Sequence, residues 1–158
     1  MLITHGTRPF AQRVGKLLQP RYEVLFGSAD ELPHVLLQVG GYMWLPDAGT
    51  AAFEHELLTS CLDNGIDVVV PLGEDEVGLL ARAQPLFAEY GIALWMPDTM
   101  HPEEVRLMHD PDRRLPLLVL DRGVAVAGDQ QQAHPPTLSG VFAQPNPGEG
   151  LQLCCITG

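Results

Sequence analysis

The turn His5-Gly6-Thr7-Arg8 holds side chains suited to binding an anion. It follows the short apolar stretch Leu2-Ile3-Thr4, a predicted strand, and precedes a helical pattern with Pro9 in its first turn. A helix N-terminus offers free N–H groups to an anion, and Arg8 could add a bidentate contact. Gly6 is not followed by the other glycines of the dinucleotide fingerprint GxGxxG. The alternative interpretation is a simple strand–helix turn with an exposed arginine.

Acidic residues follow two further predicted strands. Asp30 lies where dinucleotide-binding folds carry a ribose-binding acid, although it equally suits a cap of the following turn. In a doubly wound sheet, residues 73–76 (Gly-Glu-Asp-Glu) would face the first turn and could bind a cation or a basic ligand. Acids in the first turn of a helix also complement its dipole, which is the alternative. The predicted ligand-binding residues are His5, Gly6, Thr7, Arg8, Asp30, Gly73, Glu74 and Asp75.

The other reactive side chains match no catalytic or metal-binding pattern. Glu54-His55-Glu56 corresponds only in part to the HxE of zinc deaminases, because the PCxxC partner is absent. The six histidines are scattered without an HExxH motif, and no serine lies in a GxSxG elbow. Cys61 falls on an apolar helix face and is best interpreted as a core residue. No catalytic residue, metal or cofactor is predicted.

Helices and strands alternate along the first two-thirds of the chain. Apolar residues recur at helical spacing after residues 9, 52 and 76, and Pro85 is predicted to kink or end the third helix early. Stretches rich in apolar residues predict strands at residues 22–26, 66–70 and 92–96, and the last two are expected to be buried. Because right-handed crossovers join such strands, a mainly parallel sheet is expected.

The pattern changes after Pro97. Residues 102–109 are predicted to form a short helix, and two hairpins follow, at 115–126 and 141–156. The fold class predicted is therefore α/β: a Rossmann-like three-layer domain over residues 1–112, plus a C-terminal β-hairpin extension over 113–158. Exposed apolar strands at 115–120 and 151–156 would invite pairing with another subunit, so a homodimer through this region is expected.

Charge and composition exclude several partners. The net charge is -11, with 9 Lys and Arg against 20 Asp and Glu, so nucleic acid and anionic membrane surfaces are disfavoured. No apolar run reaches the roughly 18 residues of a membrane span, and the start of the chain lacks signal-peptide features. The three cysteines do not suggest a disulfide framework, which predicts a cytoplasmic protein with free thiols.

Three stretches resemble a known family. They are LITHGTRPFAQRVGKLL, VGGYMWLPDAGTAAFEHELLTSC, and GIDVVVPLGEDEVGLLA followed by GIALWMPD. Together they are similar to the domain that precedes the ATP-grasp fold in ligases such as biotin carboxylase and carbamoyl phosphate synthetase subunits. In that family a segment like residues 102–110 leads into a lysine that opens the ATP-grasp region. Pro111 stands there in this chain.

The resemblance implies a fold and a function. The residues after Asp110 are too few for the ATP-grasp catalytic fold and contain no lysine to hold ATP phosphates. The expectation is a non-catalytic, pre-ATP-grasp-like module that binds a small ligand or a protein partner, with an ATP-grasp ligase acting in trans as one conceivable partner. The alternative is a nucleotide-dependent Rossmann-type enzyme that uses the turn at residues 5–8 together with Asp30.

Overall fold

The first part of the chain forms a five-stranded parallel sheet with helices between its strands. The computed structural model describes residues 1–101, 103–128 and 132–157. The strands are β1 (Leu2–Ile3), β2 (Leu25–Ser28), β3 (Tyr42–Trp44), β4 (Val68–Val70) and β5 (Ala93–Leu94). The helices are α1 (Pro9–Leu18), α2 (His34–Val39), α3 (Phe53–Asp63) and α4 (Glu74–Glu89). The predicted α/β class with a mainly parallel sheet is confirmed.

The strand order is β3-β2-β1-β4-β5. The chain builds outward from β1 to β3 on one side and then crosses to β4 on the other. This is the order of a doubly wound Rossmann-like sheet, in which ligands bind beyond the carboxyl ends of the strands where the winding reverses. Here that switch point lies between β1 and β4, the two central neighbours.

Helices cover both faces of this sheet. Leu2 and Val69 lie in the same apolar cluster as the buried faces of α3 and α4. Ile3 and Val70, the next residue on each strand, lie in a second cluster with the buried face of α1. Because successive strand residues point to opposite faces, these two clusters form the two interlayer cores of a three-layer domain.

A second, mixed sheet follows. Its strands are β6 (Arg106–His109), β7 (Leu118–Asp121), β8 (Val124–Ala127), β9 (Gly140–Ala143) and β10 (Gln152–Cys155), in the order β6-β10-β9-β7-β8. β7 and β8 form one antiparallel hairpin and β9 and β10 another, which confirms both predicted hairpins. The prediction of a short helix over 102–109 is wrong, because residues 106–109 pair in parallel with β10. Pro102 lies outside the described residues.

The second sheet is joined to the first beside the switch point. Ile156 forms a parallel bridge with Gly73, its N–H donates to the carbonyl of Leu72 at 2.7 Å, and its carbonyl accepts from Glu74 at 3.1 Å. Side chains of both sheets share the same apolar clusters. The residues after β10 therefore help to fix the loop between β4 and α4.

The expectation that residues 115–120 and 151–156 present exposed strands is wrong. β7 and β10 are interior strands with a partner on each side. Their central residues, including Val119, Leu120 and Cys154, are buried. The edges of this sheet are β6 and β8, so the homodimer stays a prediction without the strand pairing proposed for it. Among the described residues, no helix has the length and apolar character needed to cross a membrane.

Helix α4 continues through Pro85 to Glu89, so the early end, one of the two outcomes predicted at Pro85, does not occur. Pro85 is exposed, whereas Ala83 and Phe87 on either side of it are buried, and this packing maintains the helix. A proline has no N–H for the preceding turn. Pro85→Ala should restore one helical hydrogen bond without loss of packing and raise the free energy of unfolding by about 1–3 kcal/mol in urea denaturation.

The matched control is Arg82→Ala, an exposed position in the same helix. This substitution removes no helical hydrogen bond, so its effect should stay within about 0.5 kcal/mol. A Pro85→Ala variant no more stable than the parent would contradict the account of α4.

Candidate functional site

A cleft of about 310 Å³ opens at the carboxyl ends of four strands of the parallel sheet. Its lining comprises His5 and Arg8 after β1, residues 28–30 after β2, residues 47–49 after β3, and residues 73–76 at the start of α4. The strand order places β1 and β4 side by side, which brings the first and last of these segments together. Six of the eight predicted site residues line the cleft: His5, Arg8, Asp30, Gly73, Glu74 and Asp75.

Gly6 and Thr7 do not line this cleft. A Cβ atom at Gly6 would lie 2.5 Å from the Cβ of Phe26, so glycine allows the turn to pack closely against β2. The Gly6 N–H donates to Gly27 at 2.8 Å, and its carbonyl accepts from the side chain of Gln12 at 2.6 Å. Thr7 is exposed. Gly6 therefore shapes the turn that presents His5.

The central group of the cleft is Glu76, which belongs to the candidate loop 73–76 but was not among the eight predicted ligand-binding residues. It is only 7% exposed. Its Oε2 accepts from the Thr4 hydroxyl at 2.5 Å and from the Gly73 N–H at 3.2 Å, and its Oε1 lies 3.5 Å from Nε2 of His5. The Thr4 hydroxyl in turn accepts from the Leu72 N–H at 2.9 Å. One buried carboxylate thus links the ends of β1 and β4.

Burial raises the pKa of the Glu76 carboxyl, because the charged form loses hydration. The charge of His5 opposes this shift, as do the hydrogen bonds from Thr4 and Gly73, while the nearby charge of Asp75 adds to it. The net direction is upward. Glu76 therefore holds its proton at a higher pH than an ordinary glutamate does.

His5 is held between Glu76 and Gly73 with part of its ring open to the cleft. Its backbone has φ 52, in the left-handed region that non-glycine residues rarely adopt. Its side chain is 23% exposed. A Cβ atom at Gly73 would overlap Nε2 of His5, so glycine is needed for the ring to lie there. Strained residues of this kind are typical of ligand-binding and catalytic sites.

Several backbone N–H groups around the cleft already donate hydrogen bonds to acceptors within the protein. The N–H of Gly73 donates to Glu76 and that of Glu74 donates to Ile156. On the first turn, the N–H of Gly6 donates to Gly27 and that of Arg8 donates to His5. A phosphate cradle needs such groups to point at the ligand. The geometry therefore gives little support to an anion site at this turn.

Carboxylates dominate the lining. Asp30, Asp47, Glu74, Asp75 and Glu76 stand against Arg8 and the imidazole of His5. Glu74 also contacts the second sheet, since its Oε2 lies 2.7 Å from Nε2 of His109. Within the described ranges, no group of three or more His, Cys, Asp or Glu side chains is arranged to hold a metal ion. The cleft is therefore suited to a ligand that offers hydrogen-bond donors or positive charge.

None of the three cysteines lines the cleft. All are free and buried. Burial raises the pKa of Cys61 and Cys154 to about 12 and that of Cys155 to about 11. The thiolate, which is the nucleophilic form, is therefore disfavoured in each of them. The interpretation of Cys61 as a core residue is confirmed.

A signal for Glu76 is present in the sequence. Glu76, Leu80, Ala83 and Phe87 follow one another at spacings of four, three and four, which places them on one face of a helix, and all four are buried. A glutamate on an apolar helix face next to a strand end indicates a buried carboxylate that needs partners.

Neither a scan against protein-family models nor a search of curated proteins finds a match to this chain.

Proposed function

We propose that this protein is a non-catalytic ligand-binding module whose ligand occupies the switch-point cleft. The observation that carries this proposal is the buried Glu76, which orients His5 at the junction of β1 and β4. An unfavourably placed carboxylate and a strained histidine both cost stability. Their presence together at the place where open α/β sheets bind ligands supports a functional role.

The lining indicates the class of ligand. The four lining carboxylates other than Glu76 attract amines and accept hydrogen bonds from hydroxyl groups, whereas they repel phosphates. A volume of about 310 Å³ lies at the small end of ligand pockets, so the bound group is small. The proposed ligand is a small polar molecule with an amine or several hydroxyl groups.

A binding role fits the lining better than covalent catalysis does. Among the described residues that line the cleft there is no cysteine, lysine or tyrosine, and the Ser28 hydroxyl accepts a hydrogen bond from the Asp30 N–H at 3.1 Å. Ser28 is also only 2% exposed. His5 therefore has no accessible side-chain nucleophile to activate. This agrees with the resemblance to a pre-ATP-grasp domain, in which ATP chemistry belongs to a different fold.

A protein partner is the second part of the proposal. Val35, Leu37, Val39 and Trp44 are each 45–72% exposed, and α2 buries none of its residues. Val35 and Val39 lie four residues apart on the same side of α2, and contiguous exposed apolar surface marks interaction sites. An ATP-grasp ligase in trans, which the resemblance suggests as a partner of the protein as a whole, is one candidate for this surface. A second copy of the chain is the other, now through α2 and not through the C-terminal strands.

The ligand proposal is tested by a thermal-shift screen followed by calorimetry. The probes are putrescine and ribose for the proposed class, and ATP and NAD for the alternative of a nucleotide-dependent enzyme. We expect a rise in the melting temperature with an amine or a polyol, since a ligand of the folded state stabilises it. With ATP and Mg²⁺ we expect no binding heat at millimolar nucleotide and no ADP formation.

Variants make the test specific to the cleft. The double variant Asp30→Asn, Asp75→Asn should weaken binding of an amine by about tenfold or more, because it removes two lining charges. Asp63→Asn, at an exposed position of α3 outside the cleft, is the matched control and should bind as the parent does. ADP formation, or tight binding of ATP that depends on Asp30, would favour the nucleotide-dependent enzyme instead.

A further inference from the structure

A basic groove lies beside α1, outside the acidic cleft except at Arg8, which lines both. The groove has a volume of about 1030 Å³. Five cationic side chains line it: Arg8, Arg13, Lys16, Arg113 and Arg114. The whole chain has only 9 lysines and arginines and a net charge of -11. More than half of the scarce positive charge is therefore gathered at one concave surface.

Two separate parts of the chain form this groove. One wall is α1, on which Arg13 and Lys16 lie about one turn apart. The other is the segment 110–114 that follows β6. Arg13 joins the walls, because its guanidinium donates to the carbonyl of Asp112 at 3.1 Å and to that of Leu115. The shape of the groove is thus fixed by contacts that do not involve its other cations.

The segment 110–114 is itself well anchored. The N–H of Asp110 donates to the carbonyl of Cys155 at 2.9 Å, and the Asp112 carboxylate accepts from the N–H of Arg114 at 2.8 Å. Asp110 and Asp112 are the two acids of the lining. Arg13 is thus hydrogen-bonded to backbone carbonyls, and Asp112 is hydrogen-bonded to a backbone amide. The exposed cations of the groove are Lys16, Arg113 and Arg114.

We propose that this groove binds a small polyanion, a molecule with two or more phosphate or carboxylate groups. Clustered guanidinium groups recognise both anions through charge-assisted hydrogen bonds. The lining also contains Pro9, Leu17 and Pro111, which offer apolar contact to the body of such a molecule. A polyanionic macromolecule is disfavoured, because the excess negative charge of the rest of the protein would repel an extended polymer. This inference does not depend on the function proposed for the acidic cleft.

The test uses pyrophosphate and citrate as phosphate and carboxylate probes, titrated into the full chain by calorimetry at low salt. We expect saturable binding of at least one probe, and the stronger of the two identifies the anionic group. Raising the salt concentration should weaken binding, as expected for exposed charges. A short duplex DNA that binds more tightly than either probe would overturn the assignment to a small molecule.

The variants are chosen to spare both the fold and the acidic cleft. Lys16→Ala, Arg113→Ala and Arg114→Ala are combined, because these side chains are exposed and make no hydrogen bond needed by the groove walls. The triple variant should lose about tenfold or more in affinity with an unchanged melting temperature. Arg82→Ala, an exposed arginine on α4, is the control and should bind as the parent does. No binding, or equal binding by the triple variant, would overturn the proposal, whatever the acidic cleft binds.

Discussion

Replacing Gly73 by alanine is expected to lower the free energy of unfolding by about 1–3 kcal/mol and to abolish ligand binding in the acidic cleft. The new Cβ would overlap Nε2 of His5 and lie 3.2 Å from Cδ of Glu76. The backbone of Gly73 itself has φ -80, which alanine adopts freely, so the whole effect is steric. The ring of His5 can give way only by leaving Oε1 of Glu76, which lies 3.5 Å from Nε2. Urea denaturation and calorimetry with the putrescine or ribose probe measure the two effects.

Gly78→Ala is the matched control, since it makes the same substitution five residues further along. A Cβ atom at Gly78 meets no atom within 4 Å, and the position is exposed in the interior of α4. Alanine there should raise stability by about 0.5–1 kcal/mol through helix propensity and leave binding unchanged. The two variants are thus expected to change stability in opposite directions. If Gly73→Ala also stabilises the protein, His5 does not pack against this glycine.

Relative to the parent, Glu76→Gln is expected to become progressively more stable as pH rises. The pKa of Glu76 is raised above its ordinary value of 4.5, so the folded state binds its proton more tightly than the unfolded state does. This difference in pKa stabilises the folded protein fully at pH values below the pKa of Glu76 in the unfolded chain. The stabilisation is lost as pH rises through the pKa of Glu76 in the folded chain. Each pKa unit of difference corresponds to about 1.4 kcal/mol.

The glutamine variant keeps the shape of the site without the charge. Its side-chain oxygen can still accept from Thr4 and Gly73, while Asp75 and His5 remain the charged neighbours. The parent should therefore lose stability relative to Glu76→Gln as pH rises above 4.5, as measured by urea denaturation at each pH. Glu56→Gln, at an exposed position on α3, is the matched control for the loss of one glutamate charge. If instead the parent becomes more stable relative to Glu76→Gln as pH rises, the ion pair with His5 has a larger effect on the pKa of Glu76 than burial does.

The local patterns of the sequence predicted most of the fold. Alternating apolar runs and helical spacing are properties of neighbouring residues, so the parallel sheet and its helices could be predicted. The hairpin predicted at residues 115–126 is likewise a local feature, because Asp121-Arg122-Gly123 forms the turn between β7 and β8. β6 was mistaken for a helix because its partner, β10, lies more than forty residues away and leaves no local signal. Pro85 was given too much weight because the burial of Phe87 favours continuing α4.

The site was predicted in outline, without the group at its centre. Strand ends are visible in the sequence, and six of the eight chosen residues line one cleft. Glu76 was grouped with its acidic neighbours as part of a helix start, although its hydroxyl partner Thr4 lies 72 positions away in the chain. The basic groove was missed for the same reason, since Lys16 and Arg113 meet only in the folded chain.

The central claim is that the cleft around Glu76 and His5 is the ligand site, and backbone amide NMR tests it most directly. The protein is titrated with the putrescine or ribose probe that stabilises it, and the shift of every assigned amide is followed. The account predicts that the largest shifts cluster at residues 5–8, 28–30, 47–49 and 73–76, the segments at the strand ends. Saturable shifts confined to α2 or to the basic groove, with those four segments unmoved, would contradict it.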